Sequence, residues 1–520
     1  MKLILLLTFL PTFAFLITGM FSGYLKSKKV INLSLFSAVL SIVIALGASV
    51  YVYLNEVTTI YLFSHQELGF TFRLDALSLV FYTMIALLSF IIVRYSATYL
   101  EGDENQGRFI GRFASTIASV QLFVISGNLF ILFISWVFTS LFLHRLLTFY
   151  GDRPRARTAA RKKFIVGRIG DFFLLISFTF IYLQYGTGDL GIIFSEIAQS
   201  SSANMPSALQ TSAVFLVLAA FFKSAQFPSH GWLVEVMETP TPVSALLHAG
   251  LLNAGPFIVM RFSLLMNHSI AASEMLLIVG GFTALFASIV FMTQPAIKTS
   301  LGYSSVAHMG FSFFICGTGA YSAAVLHIVA HSFYKGHAFL SSGSVVDIIR
   351  AKRISLPNRL TSPLRISIGI FLTLALYFAV AYLFNPDLSN NFSLLAVGLV
   401  IIMGLAQFLI PIIDSKPKKT TVLIASFLGV MVSFAFFGFE GLFDFVLNDQ
   451  LPHSVILSTL QIVTISILLL IFGSAVIVQL FYPNYFVGTT SSSIGVHLRN
   501  GFYINTHFDK LIGAYKVRTE

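Results

Sequence analysis

Residues 223–250 read KSAQFPSHGWLVEVMETPTPVSALLHAG and hold the side chains best suited to chemistry in this chain. Lys223 closes the apolar run FLVLAAFF, and Pro228 follows five residues later. Two carboxylates and a Thr-Pro-Thr-Pro turn then lead to His248 on the next apolar run. An ionisable side chain at bilayer depth is costly, so each one is a functional candidate by default. A lysine in a low-dielectric setting suits reversible proton loading, and a histidine titrates near neutral pH. Pro228 beside Lys223 predicts a broken helix, because freed backbone groups must face a polar cavity rather than lipid. The plainer alternatives are a snorkelling lysine and a packing histidine. The central position of Lys223 and the nearby proline argue against the first.

A second set lies in HIVAHSFYKGHAFLSSGS. His327, His331 and Lys335 fall at i, i+4 and i+8, so they share one helix face, and His337 stands off it. An HxxxH pair suits zinc. Here the lysine one turn on would repel a cation, and no carboxylate or cysteine is near in sequence. The stripe therefore reads as a proton or ion path, with structural hydrogen bonding as the alternative and no metal site. Gly336 and the following SSGS predict a loosened helix. Lys298 opens KTSLGYSSVAHMGF, with His308 ten residues later; it sits where snorkelling explains it almost as well as a path does. In SWVFTSLFLHRLLTFY, His144 reads as buried and Arg145 as snorkelling. Asp75 reads as a helix cap.

The elements that position these groups follow from composition. Hydrophobic residues make up 56% of the 520 and charged residues 10%, against about 25% charge in soluble domains. The chain is thus expected to be an all-α integral membrane protein. Apolar runs of spanning length number about fifteen. The basic clusters after the first, fifth, eleventh and thirteenth runs, and in the tail, all fall on one side. The positive-inside rule then places the N-terminus outside and the C-terminus in the cytoplasm. The net charge of +11 needs no nucleic acid to explain it. The single cysteine, Cys316, excludes a disulfide framework. Residues 55–73 predict a small external hairpin, and 186–210 an irregular loop. No phosphate-binding glycine motif occurs, and no acid/base pair marks an enzyme. The expected divisions are 1–111, 112–265, 273–414, 415–482 and a tail, 483–520.

The run from Lys223 to Arg261, with LGYSSVAHMGF and HIVAHSFYKGHAFLSSGS, resembles the proton-conducting subunit family of respiratory complex I and the multisubunit cation/proton antiporters. The resemblance implies two inverted five-helix repeats, broken helices and a polar mid-membrane axis containing Lys223, His248, His331 and Lys335. Two departures stand out. Val137 follows Trp136 where complex I subunits carry a glutamate, and 364–384 lacks the usual lysine or glutamate. SWVFTSLFLHRLLTFYGDRPRARTAARKKFIVGRIGD and HAGLLNAGPF are similar to the membrane subunits of DAB-type inorganic-carbon accumulation complexes. That branch implies proton or sodium flow in a prokaryotic inner membrane, coupled to a large cytoplasmic zinc-binding partner like a β-carbonic anhydrase. Zinc would then belong to the partner, and no cofactor to this chain. A respiratory or antiporter subunit, and a non-conducting anchor, are the other readings.

Overall fold

Long apolar helices with lipid-like surfaces dominate the chain. Side chains such as Leu364, Phe371, Leu423 and Leu470 are exposed on helices with nothing polar to cover them, the pattern of a bilayer-facing surface. The computed structural model describes residues 2–55, 57–65, 68–151, 154–200, 205–344, 359–386, 391–415, 417–452, 456–481 and 492–511. Among them, ten helices are long and apolar enough to cross a membrane.

The chain opens with α1 (Lys2–Phe21), α2 (Ser27–Asn55), the hairpin β1 (Thr58–His65) and β2 (Leu68–Leu74), and α3 (Ala76–Tyr99). Next come α4 (Gln106–Val124), α5 (Leu129–Leu147), α6 (Pro154–Tyr185), α7 (Leu190–Gln199) and α8 (Ser207–Lys223). Short pieces follow: α9 (Gly231–Glu235), α10 (Thr241–Ala249), α11 (Ala254–Arg261) and α12 (Ser263–Asn267). The remainder is α13 (Ile270–Thr293), α14 (Ile297–Thr318), α15 (Tyr321–Ser341), α16 (Pro363–Phe384), α17 (Phe392–Asp414), α18 (Lys419–Leu447), α19 (Thr459–Phe481), α20 (Ser492–Arg499) and α21 (Ile504–Leu511). One apolar core joins α1 through α15, and three smaller clusters pack among α13–α19.

The antiparallel hairpin predicted for 55–73 is present. It is pinned where α4 turns into α5. Asn128 caps α5 by accepting from Ile131 N at 2.7 Å, and its amide donates to Gly69 O and to Thr71 Oγ1. Gly127 fits there because a Cβ would lie 2.9 Å from Thr71 backbone.

Four boundaries differ from the sequence reading. First, α6 already starts at Pro154, so Lys162 and Lys163, part of the basic cluster after the fifth run, are buried on a helix. Arg153 lies outside the described residues. Second, the loop 186–210 contains α7, whose N-terminal amides bond the Asp189 carboxylate. Third, α18 runs on to Leu447, and its end is tied to α15 by Ser322 Oγ donating to Asp444 Oδ1 at 3.2 Å. Fourth, the tail from 483 folds in part, as α20 and α21.

Helix contacts use small residues, as lipid-embedded packing requires. Across α13–α14, a Cβ on Gly310 would sit 2.6 Å from Ala284 N and 2.7 Å from Gly280 O. Gly310→Val is therefore expected to destabilise the bundle by more than the about 1–3 kcal/mol typical of overpacking. Thermal unfolding in detergent checks this; an unchanged midpoint would contradict the contact.

Candidate ion-conducting axis

Lys223 is the last residue of α8, and the helix stops there because the backbone turns sharply. Ala225 has φ 53° and the Phe227–Pro228 peptide is cis. The freed groups find partners inside the protein: Gln226 N donates to Phe221 O at 3.2 Å, and Phe227 N to Thr283 Oγ1 at 3.2 Å. Ser224 Oγ donates to Leu252 O at 2.5 Å. Pro228 thus lies within a break, as predicted.

The Lys223 amine is buried against α5. It donates to Trp136 O and to Thr139 Oγ1, both at 2.8 Å, and lies 4.2 Å from the Trp136 ring centroid. Carbonyl, hydroxyl and ring face all favour a cation without carrying a net charge. The indole Nε1 in turn donates to Asp171 Oδ1 at 2.9 Å, and Asp171 pairs with Arg168 at 2.7 Å. So a carboxylate does stand near Lys223, but it comes from α6 rather than from the position after Trp136. Lys163, eight residues or about two turns earlier on α6, donates to Ser140 O at 3.0 Å and Ser140 Oγ at 2.6 Å. Lys163 and Lys223 line one small cavity of about 10 Å³ with Thr139, Ser140 and Leu247, at the threshold for one water. His144 sits one turn beyond Ser140, with Nδ1 3.2 Å from Ala160 O.

The second set gathers on α15. Its neighbour α10 ends at Gly250, and Asn253 stitches that break by donating to Ala249 O at 2.9 Å and Ser332 Oγ at 2.8 Å. His248 stacks on Phe339 of α15 with centroids 4.3 Å apart. Lys335 is buried and donates to Leu301 O at 3.3 Å. His308 of α14 completes the row, 4.9 Å from His331 and 5.3 Å from His327 between ring centroids. Neither ring nitrogen of His248 or of His331 has a hydrogen-bond partner among the described residues. The two sets meet at α10: Leu247 lines the lysine cavity, and the adjacent His248 faces α15.

Not every candidate joins this axis. His337 is on the exposed side of α15, and Lys298 is half-buried in the first turn of α14. Gly336 does not break its helix: α15 is continuous from Tyr321 to Ser341. The glycine serves packing instead, since a Cβ there would be 3.3 Å from Leu88 Cδ2. Asp75 caps α3 as predicted, accepting from Ser78 N at 2.9 Å, and it also clamps Arg73 at 2.7 Å and Arg261 at 2.5 Å. Asp171 and Lys163 join the site unforeseen: the first carries a signal, an acid inside an apolar run, and the second is hidden in a basic cluster that topology already explains. His308, noted in the sequence beside Lys298, proves to belong to the histidine row.

At the basic end, Lys162 pairs with Glu235 at 2.6 Å and with Asp509 of α21, and Asn505 Nδ2 donates to Glu235 Oε1 at 2.6 Å. The C-terminal helix is thus fastened to the piece just beyond the α8 break. Among the described residues, no three His, Cys, Asp or Glu are grouped to hold a metal ion.

A membrane-length helical bundle, broken twice beside buried lysines and histidines, defines an antiporter-like membrane subunit. The family model for NADH:quinone oxidoreductase/Mrp antiporter transmembrane regions matches residues 126–376, and that for the N-terminus of complex I chain 5 matches 62–110. This chain belongs to that family. It is 35% identical over 451 residues to the probable inorganic carbon transporter subunit DabB2 of Halothiobacillus neapolitanus, covering 85% of this chain and 80% of that one. It is 37% identical over 338 residues to the corresponding DabB of Hydrogenovibrio crunogenus, covering 64% of each. NADH-quinone oxidoreductase subunit L of Campylobacter jejuni is 32% identical over 420 residues, 78% of this chain and 69% of that one. The Mrp complex of Dietzia sp. shares the fold, with a TM-score of 0.65, 21% identity and coverage of 98% of this chain and 60% of that one.

Asp171→Asn preserves a hydrogen-bond acceptor for Trp136 and removes only the charge. Hydrogen bonds to charged groups contribute about 1.5–3 kcal/mol, so proton uptake by membrane vesicles is expected to fall roughly ten- to hundredfold with assembly intact. Uptake at the unmodified rate would show that this carboxylate plays no part.

Proposed function

We propose that this chain is the ion-conducting membrane subunit of an energy-coupled inorganic-carbon accumulation complex. The observation that carries the conducting part is the Lys223 amine, buried at a helix break, held by neutral acceptors and sharing a small cavity with Lys163. The carbon part is supported by likeness to proteins named as inorganic carbon transporter subunits. In this reading the carried ion is a proton, with sodium the alternative. The membrane is a prokaryotic inner membrane, with the N-terminus outside and the C-terminus in the cytoplasm. A large cytoplasmic zinc-binding subunit of carbonic-anhydrase type docks on the basic face and performs the hydration of CO2 to bicarbonate.

The energetic argument is direct. One charge moved down 100 mV releases about 2.3 kcal/mol. Hydration without coupling only equilibrates CO2 and bicarbonate, so directional accumulation requires that ion flow bias a step in the partner. A second reading, a subunit of a respiratory complex or cation/proton antiporter, is favoured by the Asp171–Trp136–Lys223 arrangement. It supplies from α6 the carboxylate that those relatives carry on the fifth helix.

Carbonic-anhydrase-deficient cells expressing this chain with its neighbouring large subunit are expected to grow at ambient CO2. Growth should disappear with an uncoupler, and with Lys223→Ala or Lys335→Ala while both chains still assemble. Absence of rescue by an assembled complex would favour the respiratory or antiporter reading. Rescue by the lysine variants would leave the chain a passive anchor.

A further inference from the structure

The charge cluster at the basic end adjoins the lysine cavity, and the same two elements build both. On α6, Lys162 meets Glu235 and Asp509, while its neighbour Lys163 lines the cavity with Lys223. On α9, Glu235 accepts from Lys162 and from Asn505, while Trp232, three residues earlier, forms part of the cavity wall. Lys162 and Asp509 are both buried. An ion pair out of water is costly to break, because one charge is left unpaired. The third element of the cluster comes from the far end of the chain, and it is seated along its length. Gln294, at the end of α13, donates to Arg499 O at 2.9 Å. Gly501 turns with φ 55° against Tyr303, where a Cβ would be 3.3 Å from the phenol oxygen. At Gly231 a Cβ would lie 1.4 Å from Asn505 Oδ1, so α21 rests directly on the first residue of α9.

We propose that α21 is a positioning element for the ion site: by holding Lys162 and Glu235, Asp509 and Asn505 pin α9 and keep Trp232 against the cavity that Lys163 and Lys223 share. The inference rests on the conducting reading above and adds the residues that hold the wall of the site. Helix α9 needs such a hold. It is five residues long and follows the break after α8, too short to persist on its own hydrogen bonds. The indole Nε1 of Trp232 has no hydrogen-bond partner among the described residues. Packing alone therefore keeps that ring in place, and the packing depends on where α9 is pinned. Lys163 is held from the other side by Ser140 on α5, so release of α9 moves Trp232 away from a fixed amine. A cavity at the threshold for one water responds to a small shift of its wall.

The test uses vesicles holding the whole complex. Asp509→Ala is expected to lower proton uptake about ten- to hundredfold with assembly intact, the usual cost of a misplaced site. Two further arms separate positioning from folding. The chain's only cysteine, Cys316, is buried, so an introduced thiol can be followed on this chain by mass spectrometry. Leu247→Cys places one in the cavity wall, and a small methanethiosulfonate is expected to modify it at least about tenfold faster with Asp509→Ala than with Asp509 present. Gly231→Cys with Asn505→Cys replaces the charge cluster by a covalent tie, since a Cβ at Gly231 would lie 2.2 Å from Asn505 Cγ. In the Asp509→Ala background, forming that disulfide should restore uptake, and reductant should abolish it again in the same vesicles. If Asp509→Ala does not assemble, Asp509→Asn carries the same comparisons. Equal labelling of Leu247→Cys with and without Asp509, or a formed disulfide that restores nothing, would overturn the positioning role. Unmodified vesicles that take up no protons would overturn the conducting reading instead, and the labelling arm would still decide whether α21 holds the cavity wall.

Discussion

The structure is organised around an amine that must live away from water. Moving an ammonium from water into a dry interior costs of order 20 kcal/mol in the ideal limit and still several after relaxation. Lys223 meets that cost with a carbonyl, a hydroxyl and an indole face, not with a direct carboxylate. Arg261 shows the opposite solution, with Asp75 at 2.5 Å and Ser78 Oγ at 2.6 Å. A matched pair of that kind fixes one charge state and ties α3 to α11. Lys223 is held by neutral groups alone, which in the reading proposed above leaves its amine free to exchange a proton.

Supplying those acceptors shapes the surrounding fold. Lys223 ends α8 beside α5, which supplies both acceptors, and Thr283 and Phe221 take up the amides that the break after α8 frees. The kink at Gly250 does the same for His248, with Asn253 and Ser332 as its stitches. The close α13–α14 contact through Gly280 and Gly310 sets α14 at a depth where His308 can sit between His327 and His331. Each of these devices is local, and each aims one ionisable side chain at the next.

Much of this was legible in the sequence. Membrane class, the hairpin, the break at Pro228 and the shared face of His327, His331 and Lys335 all follow from periodicity and from the rarity of charge in apolar runs. What was not legible depended on partners distant along the chain. Asp171 meets Trp136 only because α5 packs on α6, and His308 joins the histidine row only across α14 and α15. Basic clusters signal topology, and that signal masks the burial of Lys162 and Lys163. Glycine weakens isolated helices, so Gly336 predicts a loosening point. In the bundle its missing Cβ instead admits Leu88, and the surrounding contacts keep α15 straight.

The most direct measurement is proton flux in liposomes containing the purified complex under an imposed potassium diffusion potential. Internal acidification that scales with the potential and vanishes in Lys223→Met is the expected result. An assembled complex that passes no protons, or passes them equally well without the Lys223 amine, would contradict the claim that this buried lysine lies on a conducting axis.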